Sequence, residues 1–155
     1  MQYIGRFSGK QIYWLDYSKF DGQFPGKNLV CLAVTNGKPD VDKFDQFVRA
    51  TISSGILEFK AHGKCSELLH DLFDDTTIVM TDVEGFSEIE VVTTWHNDET
   101  LAETFWQCFF ATSYSNKVSN DEVKIFCTDL DGVERSEELR KYIKKFERGW
   151  MPFND

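Results

Sequence analysis

Cys65, His62, His96 and Asp129 are the residue types from which a thiol nucleophile, its general base and the carboxylate that orients the base are made. Cys65 follows Lys64 and stands near the expected start of a helix, and both a neighbouring ammonium and a helix N-terminus favour a thiolate. Either His62 or His96 could take its proton with Asp129 behind it, which makes a small hydrolase or ligand-binding domain one functional reading. His62, Cys65 and His96 are also metal-ligand types. No diagnostic spacing accompanies either set, and neither a metal nor a cofactor is expected. His70 has Glu67, Asp71 and Asp74 as helical neighbours and is expected to be a solvated histidine among carboxylates.

Other motif-like fragments carry less. Asp129-Leu130-Asp131-Gly132 resembles the nucleophile motif of haloacid dehalogenase-type phosphatases, but the chain left after it is too short for that family's later motifs, and an Asp/Gly turn accounts for it. Gly-Lys recurs at 9–10, 26–27, 37–38 and 63–64, never followed by Ser or Thr at a phosphate-loop spacing. The four cysteines, Cys31, Cys65, Cys108 and Cys127, are dispersed; all but Cys65 sit in apolar runs and are expected as reduced core residues.

Charge distinguishes the middle of the chain. Residues 1–64 hold nine Lys/Arg and six Asp/Glu, and residues 117–155 hold eight and nine, whereas residues 65–116 hold eleven Asp/Glu and no Lys or Arg, so this third accounts for the net charge of −9. A segment without cations has nothing to neutralise phosphate, which disfavours nucleic acid as a partner. It would attract a basic protein and hasten its capture. The lead expectation is therefore a non-catalytic acidic binding protein, an immunity or antitoxin-type inhibitor that occludes the active site of a basic, nuclease-like toxin. Asp71, Asp74, Asp75, Asp82, Glu84, Glu88, Asp98, Glu99 and Glu103 would meet the partner's Lys and Arg, with Phe86 as an aromatic anchor.

The elements that must position these residues follow from the apolar period. LVCLAV (29–34) is apolar throughout, as a strand covered on both faces is. Val41, Phe44, Phe47, Val48, Thr51 and Ile52 form one face of a helix over 41–53, and ILEFKA (56–61) is a second strand. Leu68, Leu69, Leu72 and Phe73 mark a helix ending near Asp74-Asp75, and the β-branched TTIVMT (76–81) suggests a further short strand. IEVVTTW (89–95) is the next strand, followed by a helix over 99–112 with Asn97 or Asp98 as cap and Trp95 beneath it. VKIFCT (123–128) and a last helix with Ser136 as cap complete the series.

Strand and helix alternate four times, which predicts right-handed crossovers on a mainly parallel sheet. The expected fold is α/β: a single three-layer sandwich over 1–155, with four to six strands and helices on both faces. Residues 1–28 read as an irregular segment with a possible edge strand at 11–17. In such sheets ligands bind beyond the carboxyl ends of the strands. The segments there are 35–37, 61–65, 94–97 and 128–131, which hold the four residues of the opening. The helix over 99–112 has apolar residues around most of its circumference, so Trp106 and Phe110 are candidates for a homodimer contact.

Thr94-Trp95-His96 at a strand end, then Glu99, Glu103 and Trp106 on an aromatic helix, with Gly63 and His70-Asp71 earlier, resembles small uncharacterised bacterial α/β domains over residues 29–130. The resemblance implies a bacterial origin and an α/β domain and brings no activity with it. No run approaches a membrane span and MQYIGRFSGK lacks a signal-peptide pattern, so a cytoplasmic location is expected.

Overall fold

The computed structural model describes residues 1–24, 26–110 and 118–153. Its centre is β3, Leu29–Val34, which is buried along its whole length and pairs in parallel with β4, Ile56–His62, on one side and β6, Lys124–Asp129, on the other. Beyond β4 lies β5, Val92–His96, and beyond β6 lie β2, Lys10–Leu15, and β1, Gln2–Phe7. The six strands run in the order β1-β2-β6-β3-β4-β5, and only the β1–β2 pair is antiparallel. This is the expected mostly parallel α/β fold.

Four α-helices accompany the sheet: α1, Val41–Ser53; α2, Ser66–Ile78; α3, Leu101–Phe110; and α4, Ser136–Glu147. Alternation along the strands divides the core in two. Cys31, Ala33, Phe59 and Ala61 meet Phe44, Phe47, Leu69 and Phe73 of α1 and α2, while Val30, Leu32, Ile125 and Cys127 meet Phe105, Cys108, Leu139 and Ile143 of α3 and α4. Cys31, Cys108 and Cys127 are buried thiols as expected, and burial pushes the Cys108 thiol up to about 12.

Local chemistry explains most boundaries. Asp40 accepts from the Lys43 amide at 3.0 Å and caps α1, whose other end meets Gly55 at a φ of 79° that a side chain would resist. At α3 the cap is Thr100, whose hydroxyl accepts from the Glu103 amide at 3.2 Å, in place of Asn97 or Asp98. Ser136 is the first residue of α4 and not its cap; its amide donates to the Glu134 carboxylate at 2.8 Å.

Three further expectations are overturned. Residues 1–28 contain a β-hairpin, turned through Ser8 and Gly9 at positive φ, and the strand expected at the sheet edge over 11–17 is β2, an interior strand with β1 outside it. TTIVMT is not a strand: α2 runs to Ile78 and continues through a π-helical turn, Val79–Val83. No glycine or proline interrupts 66–84, and the hydroxyls of Thr76, Thr77 and Thr81 donate to carbonyls one turn back, which reconciles these residues with a helix. Trp95 does not lie beneath α3; it is 44% exposed and its ring meets His70 of α2 at 4.6 Å.

Candidate functional site

The carboxyl ends of the strands do collect the four residues that opened the sequence reading, but as separate pairs. His62 and His96 are register partners across β4 and β5. His62 Nδ1 and the Thr104 hydroxyl share a hydrogen bond of 2.8 Å, tying β4 to α3. Burial lowers the pKa of His62 and the nearby His96 adds to the effect, with the Glu99 carboxylate opposing it. His96 is buried; its Nδ1 donates to the Glu99 carboxylate at 2.5 Å and its Nε2 meets the Thr94 hydroxyl at 2.9 Å. Gln107 holds the other oxygen of Glu99. Both ring nitrogens of His96 are thus satisfied within the chain, and a base with no free lone pair has nothing to offer a substrate.

Cys65 faces a different neighbour. Its thiol donates to the Asn36 carbonyl at 3.2 Å, and among the described residues no hydrogen bond joins it to either histidine. Asp129 is buried and accepts from the Arg135 guanidinium at 2.6 Å and from the Asp131 amide at 2.7 Å. A nucleophile–base–carboxylate relay needs these groups in mutual reach. Here each is held by a residue outside the set. Among the described residues no cluster of three or more His, Cys, Asp or Glu could hold a metal ion.

The gap between β3 and β6 is the point from which one crossover leaves for α1 and the other chain end leaves for α4 on the opposite face. Ligands of open α/β sheets lie at such a crevice. A cleft of about 410 Å³ opens there, lined by Tyr17, Lys38, Lys43, Asp40, Asp129 and Asp131 among others. Beside it, Asp131 accepts from the amides of Asn36 and Gly37 at 2.7 and 3.0 Å. The Asp129-Leu130-Asp131-Gly132 tetrad is accordingly a turn, closed by the Gly132 amide on the Asp129 carbonyl. Next to it Gly63, at φ 115°, approaches so closely that a Cβ would come within 2.4 Å of the Thr35 carbonyl oxygen.

The acidic third of the chain is laid out differently. It supplies β5, the outermost strand on one side, α2 packed against that strand, and α3 on the opposite face of the sheet over β3 and β4. Asp71, Asp75, Asp82, Glu84, Glu88 and Asp98 are exposed, while Asp74, Glu99 and Glu103 are half-buried. Some are already engaged. Glu84 is gripped by Arg49 through two hydrogen bonds of 2.6 and 2.8 Å, which hold its carboxyl below the usual range; Asp74 accepts from the Thr93 hydroxyl at 2.9 Å, and Asp71 pairs with His70 at 2.9 Å. His70 is half-buried against Trp95, not fully solvated.

Apolar side chains lie among these carboxylates. Of fourteen exposed large hydrophobics among the described residues, seven fall within residues 68–95, namely Leu68, Ile78, Val79, Val83, Phe86, Val92 and Trp95, so the carboxylate-rich stretch also carries half of the exposed apolar side chains. Val83 is 77% and Phe86 52% exposed. Trp106 and Phe110, by contrast, find partners in their own chain: their rings lie 4.5 Å apart, with Phe7 and Phe153 against them, although Phe110 stays 47% exposed.

Beneath α3 lies a charged group that motif reading missed. Glu58 and Lys60, two apart on β4, are both buried with Nζ 3.5 Å from the carboxylate, and the fully buried Lys10 donates to the Phe109 carbonyl at 2.8 Å. The signal was present in ILEFKAH, whose alternation places Glu58, Lys60 and His62 on one face.

A family model described as a domain of unknown function, DUF7684, matches residues 13–146, from within β2 to near the end of α4. The chain belongs to the DUF7684 family. The DUF7684 match takes in the acidic flank, the strand-end pairs and the β3–β6 cleft alike. No curated protein and no solved structure matches the chain. No helix among the described residues is long and apolar enough to cross a membrane.

Proposed function

We propose that this protein is a non-catalytic acidic binding protein of the bacterial cytoplasm, an immunity-type inhibitor that covers the active site of a basic, nuclease-like toxin. One observation carries the reading: among the described residues of 65–110, exposed carboxylates and exposed large apolar side chains are interspersed along a stretch that contains no Lys or Arg. An apolar centre with a charged rim is the anatomy of a protein interface. A one-signed rim selects the partner's charge and speeds its approach. The side-chain carboxylates of Asp75, Glu88, Asp98 and Glu103 accept no hydrogen bond and form no ion pair among the described residues, so their charge is available to a partner; Val83 and Phe86 are the anchors.

The test uses the purified protein with the cationic products of genes adjoining its own, titrated at low and high salt. Tight, salt-sensitive binding that silences the partner's enzymatic activity is the expected result. Reversing Asp71, Asp75 and Glu88 to Lys should weaken it about tenfold or more, whereas His62→Ala and Cys65→Ala should leave it intact. Binding that ignores the reversals overturns the reading.

The alternative, a small hydrolase or ligand-binding domain using His62, Cys65, His96 and Asp129, draws support from one feature, since Asp129 lines the β3–β6 cleft. The other three residues do not line that cleft. A small-ligand reading would have to use Asp129 with Lys38, Lys43 and Tyr17 instead.

A further inference from the structure

The geometry points to strand addition at β5: an extended segment of a partner, bearing Lys or Arg at alternate positions, pairs with β5 as a seventh strand. This deepens the basic-partner reading and rests on it. In β5 the His96 carbonyl accepts from the Gly63 amide at 3.1 Å, so His96, Thr94 and Val92 turn their backbone groups toward β4. Because successive residues of a strand present their amides to opposite sides, Thr93 and Trp95 turn theirs outward. No hydrogen bond to those backbone groups is found among the described residues. An unpaired row of donors and acceptors is a template for another strand.

Edges of this kind are ordinarily blunted by lysine, proline or a bulge. β5 has none of them: it contains no Lys, Arg or Pro, and its register against β4 is unbroken from Val92 to His96. The carboxylates say what sits there. Glu67, Asp71 and Asp74 follow one another at helical spacing along the side of α2 that touches β5 through Thr93 and Trp95, and Asp98 and Glu99 stand at the strand's end on the way to α3. A strand laid about 4.8 Å outside β5 would send alternate side chains toward the α2 carboxylates. A second copy of this chain would bring the same carboxylates against their own kind, so the occupant is a basic segment and not another subunit.

Capped peptides test this without altering the protein: one alternating lysine with valine, the same peptide N-methylated on every second residue, and a glutamate–valine counterpart. Amide exchange at Thr93 and Trp95 is followed by NMR. With the lysine–valine peptide these two amides should exchange about tenfold more slowly or better, since pairing protects them. The N-methylated and acidic peptides should leave them unchanged. If the methylated peptide binds as well, or protection arises elsewhere on the acidic flank, strand addition is overturned while the basic-partner reading survives. If no cationic peptide binds, both are overturned.

Discussion

The two edges of the sheet are built to opposite specifications. β1 is held by an antiparallel hairpin, broken by a bulge between Tyr3 and Gly5, carries Arg6, and is backed by α4 with its Lys and Arg. β5 is a short parallel strand with unbroken register, no cation, and an acidic helix on the face where Trp95 lies. Bulges and cations are what proteins use to keep an edge from pairing. β1 therefore carries devices that discourage pairing, whereas β5 carries neither a bulge nor a cation.

The largest effect in breaking this contrast should come from one strand inward of the open edge. Lys60→Met takes away the ammonium 3.5 Å from the buried Glu58 carboxylate, and should cost about 3–5 kcal/mol of stability in denaturant unfolding, with much of the loss recovered when Glu58→Leu is added. Gly63→Ala drives a Cβ into the Thr35 carbonyl at a positive φ and should cost about 1–3 kcal/mol by the same measurement. At the surface, Asp71→Lys with Asp75→Lys and Glu88→Lys should weaken binding of a cationic partner about tenfold or more. The matching reversal at the closed edge, Arg6→Glu with Lys144→Glu, should change it by less than about twofold.

The smallest effect is in pH dependence. The pKa of His62 in the folded protein lies below its ordinary value of 6.5 because burial disfavours the imidazolium. As pH falls below that value the unfolded chain takes up the proton first, so stability present at neutral pH is lost on mild acidification. His62→Gln should show a shallower loss than the parent over that range in thermal melts.

What the sequence revealed depended on whether one signal acted alone. β3, β4, β6, α1 and α4 each show a clear apolar period, and their positions were legible, although the cap of α4 was misplaced at Ser136. TTIVMT pitted β-branched propensity against the absence of any stop before Gly85, and threonine hydroxyls bonding back along the helix settled it. The β1–β2 hairpin was announced only by Ser8-Gly9 between two alternating runs, a two-residue turn signal easily passed over beside a loop-rich stretch. The acidic flank was visible as composition, but its wrapping around an edge strand depends on the crossover from β5 over the opposite face to β6, which no local pattern encodes. The strand-end set was placed at the right end of the sheet, yet its partners Thr104, Arg135 and Asn36 come from elements whose approach only the assembled fold defines. The 111–112 end of the helix expected over 99–112 lies outside the described residues.

The Asp131 carboxylate bridges positions 94 and 95 residues apart in the chain, joining the turn after β6 to the turn after β3. It acts as a clasp between the turn that leads into α1 and the turn that leads into α4, so the two faces of the sheet are tied together at the carboxyl ends of β3 and β6. An anion arriving at those two amides would have to displace a carboxylate that the chain itself supplies.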